Sequence, residues 1–254
     1  MENTNKIALV TGGSRGLGKD MALRMAEKGI NVILTYNSKV DEANEVVKQI
    51  QQIGPKAAAL QLDAGDVKSF AAFIEKVKSI LSDTFGTDRL DFLINNAGFG
   101  YYAPIVETTE EAFDSLMNVH FKGVYFLTQG MLPILNEGGG IVNISSGLAR
   151  FSTPGSSAYA SMKGAIEVFT RYLAKEVGAR KIRANVVAPG AIETDFGGGR
   201  VRDNEELNKI ISSITAMGRA GVAEDIGGLV AFLCTDDARW ITGQRIEASG
   251  GMNL

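Results

Sequence analysis

Seven short apolar runs alternate with longer amphipathic segments along this chain, and that alternation constrains its fold more than any other feature. The runs are apolar at consecutive positions, as expected for strands buried on both faces of a parallel sheet. Strands joined by right-handed helical crossovers predict an α/β fold with a seven-stranded, doubly wound parallel sheet flanked by helices. The predicted strands are 6–10, 31–35, 57–62, 90–94, 141–144, 183–187 and 244–248.

Helix boundaries follow from the segments between these strands. Thr108 and Glu111 fit a capping box, and Gly29 fits the residue that ends the first helix. No linker or low-complexity tract interrupts the pattern, so we expect a single domain over 1–254. The predicted helices are a first one ending at Lys28 and then 40–53, 67–81, 108–135, 155–177, 204–217 and 223–233.

A glycine-rich turn, Thr11-Gly12-x-x-x-Gly16-x-Gly18, lies between the first predicted strand and the first helix. Glycines at such a place let backbone amides at the helix N-terminus approach a pyrophosphate. Ligands of doubly wound sheets bind beyond the carboxyl ends of the strands, where this turn lies. The turn therefore predicts a Rossmann-type dinucleotide site that includes Gly12, Ser14, Arg15, Gly16, Leu17 and Gly18.

The residues at the end of the second predicted strand distinguish an NAD site from an NADP site. An NAD site usually has an acid there, which accepts from the ribose 2′-hydroxyl. This chain has Tyr36, Asn37, Ser38 and Lys39 instead. Arg15 and Lys39 are placed to meet a 2′-phosphate, so the sequence favours NADP over NAD.

Two further loops follow predicted strands and extend the cofactor region. Asp63 comes after the third strand, where its carboxylate is placed to accept from the adenine amino group or to serve as a turn or capping residue. Asn96, Ala97 and Gly98 follow the fourth strand. Their small size lets the backbone approach the adenosine, and asparagine side chains there tie loops together.

Tyr159 and Lys163 are four residues apart in a predicted helix, so they lie one turn apart on the same face. A free tyrosine has a pKa of about 10, and a nearby ammonium favours its phenolate form. We therefore expect Lys163 to lower the pKa of Tyr159 toward the range used in acid/base catalysis. Ser146, beyond the end of a strand, is placed to hold a carbonyl oxygen. Taken alone, a Tyr/Lys pair at this spacing is more typical of an ordinary helix surface, and only the motifs around it favour the catalytic interpretation.

Charge and residue usage exclude several classes of function. A net charge of −3 gives no basis for a nucleic-acid or acidic-membrane partner. The single cysteine, Cys234, cannot form an internal disulfide and lies in an apolar run. The single histidine, His120, is interpreted as a partly buried helix residue, and no metal is expected. The polar start at 1–6 and the lack of a long apolar run predict a cytoplasmic protein.

The segment Gly12-Gly13-Ser14-Arg15-Gly16 also matches G-x-S-x-G, the nucleophile elbow of α/β-hydrolases. That interpretation is disfavoured because His120 lies inside a predicted helix. In addition, the only strand predicted before Ser14 is the one that leads into this turn, so no earlier strand is available to carry an oxyanion loop.

These motifs, in this order and spacing, resemble the short-chain dehydrogenase/reductase family across essentially the whole chain. The matching elements are T-G-G-S-R-G-L-G at 11–18, Asp63, N-N-A-G at 95–98, Asn118, Ser146, Y-A-S-M-K at 159–163, A-P-G-A-I-E-T at 188–194 and I-T-G-Q at 241–244. The resemblance implies that Tyr159 is the acid/base and that Ser146 orients the substrate oxygen. It also implies that Lys163 holds the nicotinamide ribose and that Asn118 anchors a water next to it. Further cofactor contacts are implied for Ala64, Pro189, Gly190, Ile192 and Thr194.

The reaction implied by the resemblance is NADPH-dependent reduction of a ketone or 3-oxoacyl group to the alcohol, with Tyr159 protonating the oxygen. A sugar or steroid-type alcohol dehydrogenase working in the oxidative direction is the alternative within the family. A protein that binds NADPH as a sensor, without turnover, is the alternative from another class. The expected partner is a small carbonyl substrate, free or carried on an acyl carrier protein, and the family implies a homotetramer.

Substrate residues are expected at 99–103, at 150–153 and in a flap over about 190–217 that is hinged at its glycine run. Aromatic side chains in these segments suit a ring-containing ketone or simple packing: Phe99, Tyr101, Tyr102, Phe151 and Phe196. Basic side chains there suit an anionic group or solvent: Arg150, Arg200 and Arg202.

Overall fold

The computed structural model describes residues 6–254, in which seven strands form one parallel sheet. The strands are β1 Ile7–Val10, β2 Asn31–Tyr36, β3 Ala57–Gln61, β4 Leu90–Asn95, β5 Leu135–Ile144, β6 Arg183–Pro189 and β7 Arg245–Ala248. Their order is β3-β2-β1-β4-β5-β6-β7, so the winding direction reverses between β1 and β4. The predicted doubly wound, seven-stranded parallel sheet is confirmed, and its reversal point is where such folds bind ligands.

Helices cover both faces of this sheet. They are α1 Gly16–Glu27, α2 Val40–Ile53, α3 Phe70–Ile80, α4 Glu110–Met117, α5 Gly123–Met131, α6 Ser157–Val177, α7 Arg200–Asp203, α8 Glu205–Ser213 and α9 Glu224–Leu233. Gly29 has a φ of 78° and ends α1, as predicted.

The side chains of β1 explain why the strands read as unbroken apolar runs. Ala8 and Val10 pack into the core beneath α1, α2 and α9, whereas Ile7 and Leu9 pack beneath α3, α5 and α6. All four side chains are buried. Because both faces of the central strands are covered, the loops at their carboxyl ends are held in fixed relative positions.

The fourth helix begins later than predicted. Thr109 is its N-cap, since the Thr109 hydroxyl accepts from the amide of Ala112 at 3.2 Å. The hydroxyl of Thr108 instead donates to the carbonyl of Pro104 at 3.0 Å. The capping box of Thr108 and Glu111 is therefore wrong.

The predicted helix 108–135 is also not uniform. A π turn, Asn118–Lys122, separates α4 from α5. Such a turn holds more residues than an α-helical turn and is frequent at functional sites. Side chains beyond Asn118 therefore face directions that a 3.6-residue period does not predict.

Strand β5 begins at Leu135, well before the predicted start at 141. Its first part is the glycine-rich stretch 136–140, and its pairing with β4 is irregular between Leu90 and Phe92. In this extension only Leu135 and Gly140 pair with a neighbouring strand, and residues 136–139 bulge out between these two pairs. Regular pairing therefore begins at Gly140, one residue before the predicted start.

Within residues 6–254, no helix is both long and apolar enough to cross a membrane. Residues 1–5 belong to the polar start from which a cytoplasmic location is predicted. They lie outside the described residues, and that location stays a prediction.

Candidate active site

A cleft of about 1090 Å³ opens at the carboxyl ends of the strands, lined by the loops that follow β1 to β6. It brings together most of the predicted site residues: Gly12, Ser14, Arg15, Gly16, Leu17, Gly18, Tyr36, Asn37, Asp63, Ala64, Asn96, Ala97, Gly98, Ser146, Tyr159, Lys163, Pro189, Gly190, Ile192 and Thr194. The cleft does not include Ser38, Lys39 and Asn118 in its lining. Their roles in binding or catalysis stay predictions.

The glycine turn after β1 forms one end of the cleft. Gly12 has a φ of 66° and Gly16 a φ of 54°, a region that side chains with a β-carbon rarely adopt. A β-carbon at Gly18 would overlap the carbonyl oxygen of Gly12, so the turn packs directly on α1. The first turn of α1 carries no acidic side chain. Its amides therefore form an uncompensated positive end that fits a pyrophosphate.

Asn96 connects this turn to the loop after β4. Its side-chain amide donates to the carbonyls of Thr11 and Gly12, at 2.9 and 3.1 Å. The hydroxyl of Thr11 accepts from the amides of Asn96 and Ala97, both at 3.0 Å. Thr35 adds a link that the sequence analysis missed, because its hydroxyl accepts from the amide of Gly12 at 3.1 Å.

The predicted 2′-phosphate contacts differ in their placement. Arg15 lines the cleft, and its side chain is 61% exposed, with Asp195 at 3.7 Å. Lys39 is the residue before α2, outside the cleft lining. Asp63 lines the cleft, and its carboxylate also accepts from the amide of Gly65 at 2.9 Å. Asp63 therefore has the turn role that was the alternative to adenine binding, and the two roles are compatible.

Tyr159 and Lys163 lie on α6, buried in the floor of the cleft. The Nζ of Lys163 lies 5.5 Å from the centroid of the Tyr159 ring and donates to the carbonyl of Ile144 at 2.8 Å. Ile144 ends β5, and Ser146 follows two residues later with its hydroxyl accepting from the amide of Leu148 at 3.2 Å. The strand end and the helix therefore hold three of the four predicted catalytic side chains in one place, and Asn118 is the one outside the cleft lining.

Burial dominates the titration of this pair. It lowers the pKa of Lys163 to about 7. It also raises the pKa of Tyr159 above its usual 10, with Tyr102 as a further cause and Ser146 opposing the shift. The direction for Tyr159 is opposite to the one expected from the lysine charge, because burial is the largest cause of the shift. The phenol accordingly keeps its proton at neutral pH.

His120 is a site residue that the sequence analysis missed. It is buried in the π turn, as its assignment to a helix suggested, but its imidazole lines the cleft. Its Nε2 donates to the carbonyl of Phe99 at 2.8 Å, in the tautomer that this short contact favours. Burial lowers the pKa of His120 to about 2, so the ring is neutral. No hydrogen bond joins it to Ser14 in the described part of the chain, which gives the hydrolase interpretation no support.

The other end of the cleft is aromatic and apolar. Four of the five predicted aromatic residues line it: Phe99, Tyr102, Phe151 and Phe196. Tyr101 packs instead beside Leu116 and Met162. Within residues 6–254, no group of three or more His, Cys, Asp or Glu side chains is arranged to hold a metal ion.

The family model described as enoyl-(acyl carrier protein) reductase matches residues 12–253 of this chain. An uncharacterized oxidoreductase of Methylorubrum extorquens is 39% identical over 247 residues, which cover 97% of each chain. A hydroxynaphthalene reductase-like protein, Arp2, of Metarhizium robertsii is 36% identical over 98% of this chain and 95% of its own.

Solved structures show the same similarity. LugOII, a promiscuous reductase that catalyses keto-reduction at C1 during lugdunomycin biosynthesis, superposes with a TM-score of 0.94 at 36% identity over 100% of both chains. The landomycin C-6 ketoreductase LanV, with bound NADP and rabelomycin, has a TM-score of 0.90 at 36% identity, covering 99% of this chain and 97% of its own. A short-chain dehydrogenase/reductase from Serratia marcescens has a TM-score of 0.92 at 30% identity over 100% of both chains.

Proposed function

This chain belongs to the short-chain dehydrogenase/reductase family, and from that premise we propose that it reduces a ketone with NADPH, using Tyr159 as the proton donor. It is an NADP-dependent oxidoreductase that acts on hydroxyl and carbonyl carbons. The observation that carries the proposal is the buried Tyr159 phenol, which faces the cleft beside Lys163 and Ser146.

The chain's own residues supply the proton chemistry. The Ser146 hydroxyl holds the substrate oxygen, and the Tyr159 hydroxyl donates its proton to that oxygen as the alcohol forms. The phenolate left on Tyr159 is stabilised by the Lys163 ammonium one helix turn away. The phenolate then takes back a proton passed on from Lys163. Asn118, at the start of the π turn, is proposed to anchor the water through which solvent replaces that proton on Lys163. When bound, NADPH supplies the hydride.

The NADPH would be held along the cleft from the glycine turn to the loop after β6. Residues 12–18 take the pyrophosphate, and Arg15 takes the 2′-phosphate. Asp63 and the loop at 96–98 face the adenosine. Lys163 holds the ribose, while Ile192 and Thr194 hold the carboxamide.

A fused-ring aromatic ketone is the substrate class best supported. The aromatic lining of the cleft favours it, as do relatives whose names and descriptions include hydroxynaphthalene reductase and landomycin C-6 ketoreductase. A 3-oxoacyl group on a carrier protein is the second candidate, because the family model is described as a reductase of a carrier-bound acyl group, although an enoyl one. A carrier protein would require basic side chains near the cleft, and Arg180 just after α6 is a candidate. Arg180 is not free for that role, because it pairs with Glu137 and donates to two backbone carbonyls.

The segment 190–217 is proposed as the flap that covers the substrate. Homotetramer assembly is proposed through the helical segments 108–135 (α4 and α5) and 155–177 (α6) and through the C-terminal strand. Tyr172 on α6 is 68% exposed and lines one depression together with the exposed side chains of Tyr125 and Val168. A contiguous exposed apolar patch of this kind is typical of a subunit contact. Light scattering on the purified protein measures the assembly.

A substrate panel tests the proposed function. The purified protein is given NADPH or NADH with 1-tetralone, a steroid ketone, a sugar lactol and a 3-oxoacyl carrier protein, and nicotinamide absorbance is followed. We expect NADPH oxidation with 1-tetralone and much less with NADH. Turnover confined to the acyl carrier substrate would favour the second candidate. The corresponding alcohols are assayed in parallel with NADP, and their oxidation without reduction of any ketone would favour the reverse direction.

A further inference from the structure

The three arginines near the substrate end of the cleft differ in what they contact. Arg150 pairs with Glu247 at 3.1 Å, and Arg202 pairs with Asp195 at 2.6 Å. Arg200 lines the cleft. In the described part of the chain, no carboxylate oxygen lies within 4.0 Å of the Arg200 guanidinium. Of the three, Arg200 is therefore the one with its charge available to a ligand.

Arg200 has a defined position. Its Cζ lies 4.9 Å from the centroid of the Tyr102 ring, within the range of a cation–π contact. Three glycines at 197–199 precede it, with φ values of 63°, 75° and 75°. A β-carbon at Gly197 would lie 3.0 Å from Cε2 of Tyr102. The flap backbone therefore rests on the tyrosine ring, and this contact brings the guanidinium over it.

Aromatic rings connect this cation to the proton donor. The rings of Tyr159 and Phe196 are 5.9 Å apart between centroids. A β-carbon at Gly100 would lie 3.0 Å from Cε1 of Phe196, so that ring rests on the loop that carries Tyr102. A ligand that reaches from Tyr159 to Arg200 therefore passes along aromatic surface, which favours flat rings.

We propose that Arg200 binds an anionic oxygen, a carboxylate or ionised phenol, on an aromatic ketone whose carbonyl lies at Tyr159. This inference rests on the proposed function and narrows its substrate class. A guanidinium offers several N–H donors to one oxyanion. The nearby carboxylates of Asp195 and Asp203 pair with Arg202, which leaves the charge of Arg200 uncompensated.

Two matched substrates test the proposal. 1-Tetralone and 6-carboxy-1-tetralone present the same ketone without and with a carboxylate on the far ring. kcat and KM are measured at saturating NADPH for the wild type, Arg200→Gln, Arg200→Lys and Lys209→Gln. The last is a control that removes the same charge from the same flap, because Lys209 is exposed and does not line the cleft.

Loss of a charge-assisted hydrogen bond predicts that Arg200→Gln raises KM for the carboxylate substrate by about 10- to 100-fold. Its kcat/KM for 1-tetralone should stay within about twofold, since that ketone carries no anion for the guanidinium. Arg200→Lys should recover part of the preference because it keeps the charge. Lys209→Gln should match the wild type. A wild type that reduces both ketones with a preference unchanged in Arg200→Gln overturns the proposal.

A binding measurement that does not depend on turnover distinguishes failure of the Arg200 anion site from failure of the proposed ketone reduction. 2-Naphthoate, which has no ketone, is titrated against the NADPH complex of the wild type and of Arg200→Gln by fluorescence. Binding that weakens about tenfold or more in the variant supports the anion site even if neither tetralone is reduced. Binding that is equal in the two proteins overturns it. Failure of both tetralones to react counts against the proposed aromatic ketone substrate.

Discussion

The imidazole of His120 lies edge-on to the phenol ring of Tyr159, with the ring centroids 5.1 Å apart. Through Nε2 it also binds the carbonyl of Phe99 at 2.8 Å. The proposed proton donor and the aromatic wall of the cleft are therefore joined by one neutral side chain. Its neutrality matters because a second positive charge beside Lys163 would oppose protonation of the lysine.

Substitutions at His120 should separate packing from hydrogen bonding. His120→Phe keeps a ring against Tyr159 but leaves the Phe99 carbonyl without its donor, which should cost about 1–3 kcal/mol of the free energy of unfolding. His120→Gln keeps a donor and should lose less. Urea denaturation measures both, and KM for the ketone should follow the same order. Equal losses in the two variants would show that the hydrogen bond to Phe99 contributes little.

Lys163 should make stability depend on pH. Its pKa is about 7 in the folded protein against 10.5 for an ordinary lysine. Between these values the unfolded chain binds the extra proton, so the free energy of unfolding rises with pH. From pH 7 to 9 the wild type should gain about 2 kcal/mol relative to Lys163→Met.

Urea titrations at both pH values measure this difference. Lys175→Met is the matched control on α6, because Lys175 is exposed. This variant keeps Lys163, so its stability should rise with pH in parallel with that of the wild type. A wild type whose stability changes with pH in parallel with Lys163→Met would mean that the buried ammonium is not the titrating group.

Gly18→Ala should displace the phosphate turn, since a β-carbon there overlaps backbone of Gly12 that cannot move aside. We expect NADPH affinity to fall at least about tenfold as the amides lose their positions. Gly164→Ala is the control, because a β-carbon at Gly164 meets no atom within 4 Å and alanine favours the interior of α6. Fluorescence titration compares them. Unchanged binding in Gly18→Ala would place the phosphates elsewhere.

Arg15 should carry more of the NADP preference than Lys39, since Arg15 alone of the two lines the cleft. Arg15→Gln should weaken NADPH binding about 10- to 100-fold and NADH binding by less than about threefold. Lys39→Gln should have a smaller effect on NADPH. Parallel titrations with the two dinucleotides decide this, and equal loss of both in Arg15→Gln would contradict a 2′-phosphate role.

Hydrophobic pattern was sufficient to predict the sheet, because the strands lie between two helix layers and alternate residues of β1 pack on opposite faces. The exact starts of helices and strands depended on contacts that cannot be derived from the local sequence. Thr108 and Thr109 are both good caps, and the bond of Thr108 to Pro104 decides between them. The glycine-rich start of β5 has low strand propensity, and residues 136–139 pair with neither neighbouring strand, so regular pairing begins only at Gly140.

Site residues that belong to local sequence motifs were predictable. Side chains whose direction or titration depends on contacts with residues distant in sequence were not. The glycine turn and the Tyr159/Lys163 pair are local in sequence, and the cleft contains them. His120 was missed because the π turn changes which side chains face the cleft. The spacing of Lys163 predicts a lowered pKa for Tyr159, but the pKa is raised. The main cause is burial, which depends on the whole fold and cannot be derived from that spacing.

Proton donation by Tyr159 is tested most directly with Tyr159→Phe, which keeps the ring against His120 and Phe196 and removes the hydroxyl. NADPH binding and NADPH oxidation by 1-tetralone are measured on the same preparations. We predict NADPH affinity within about threefold of the wild type and a fall in kcat of about 10²- to 10⁴-fold, the usual contribution of a general acid. A variant that reduces the ketone within about tenfold of the wild-type rate would contradict Tyr159 as the donor.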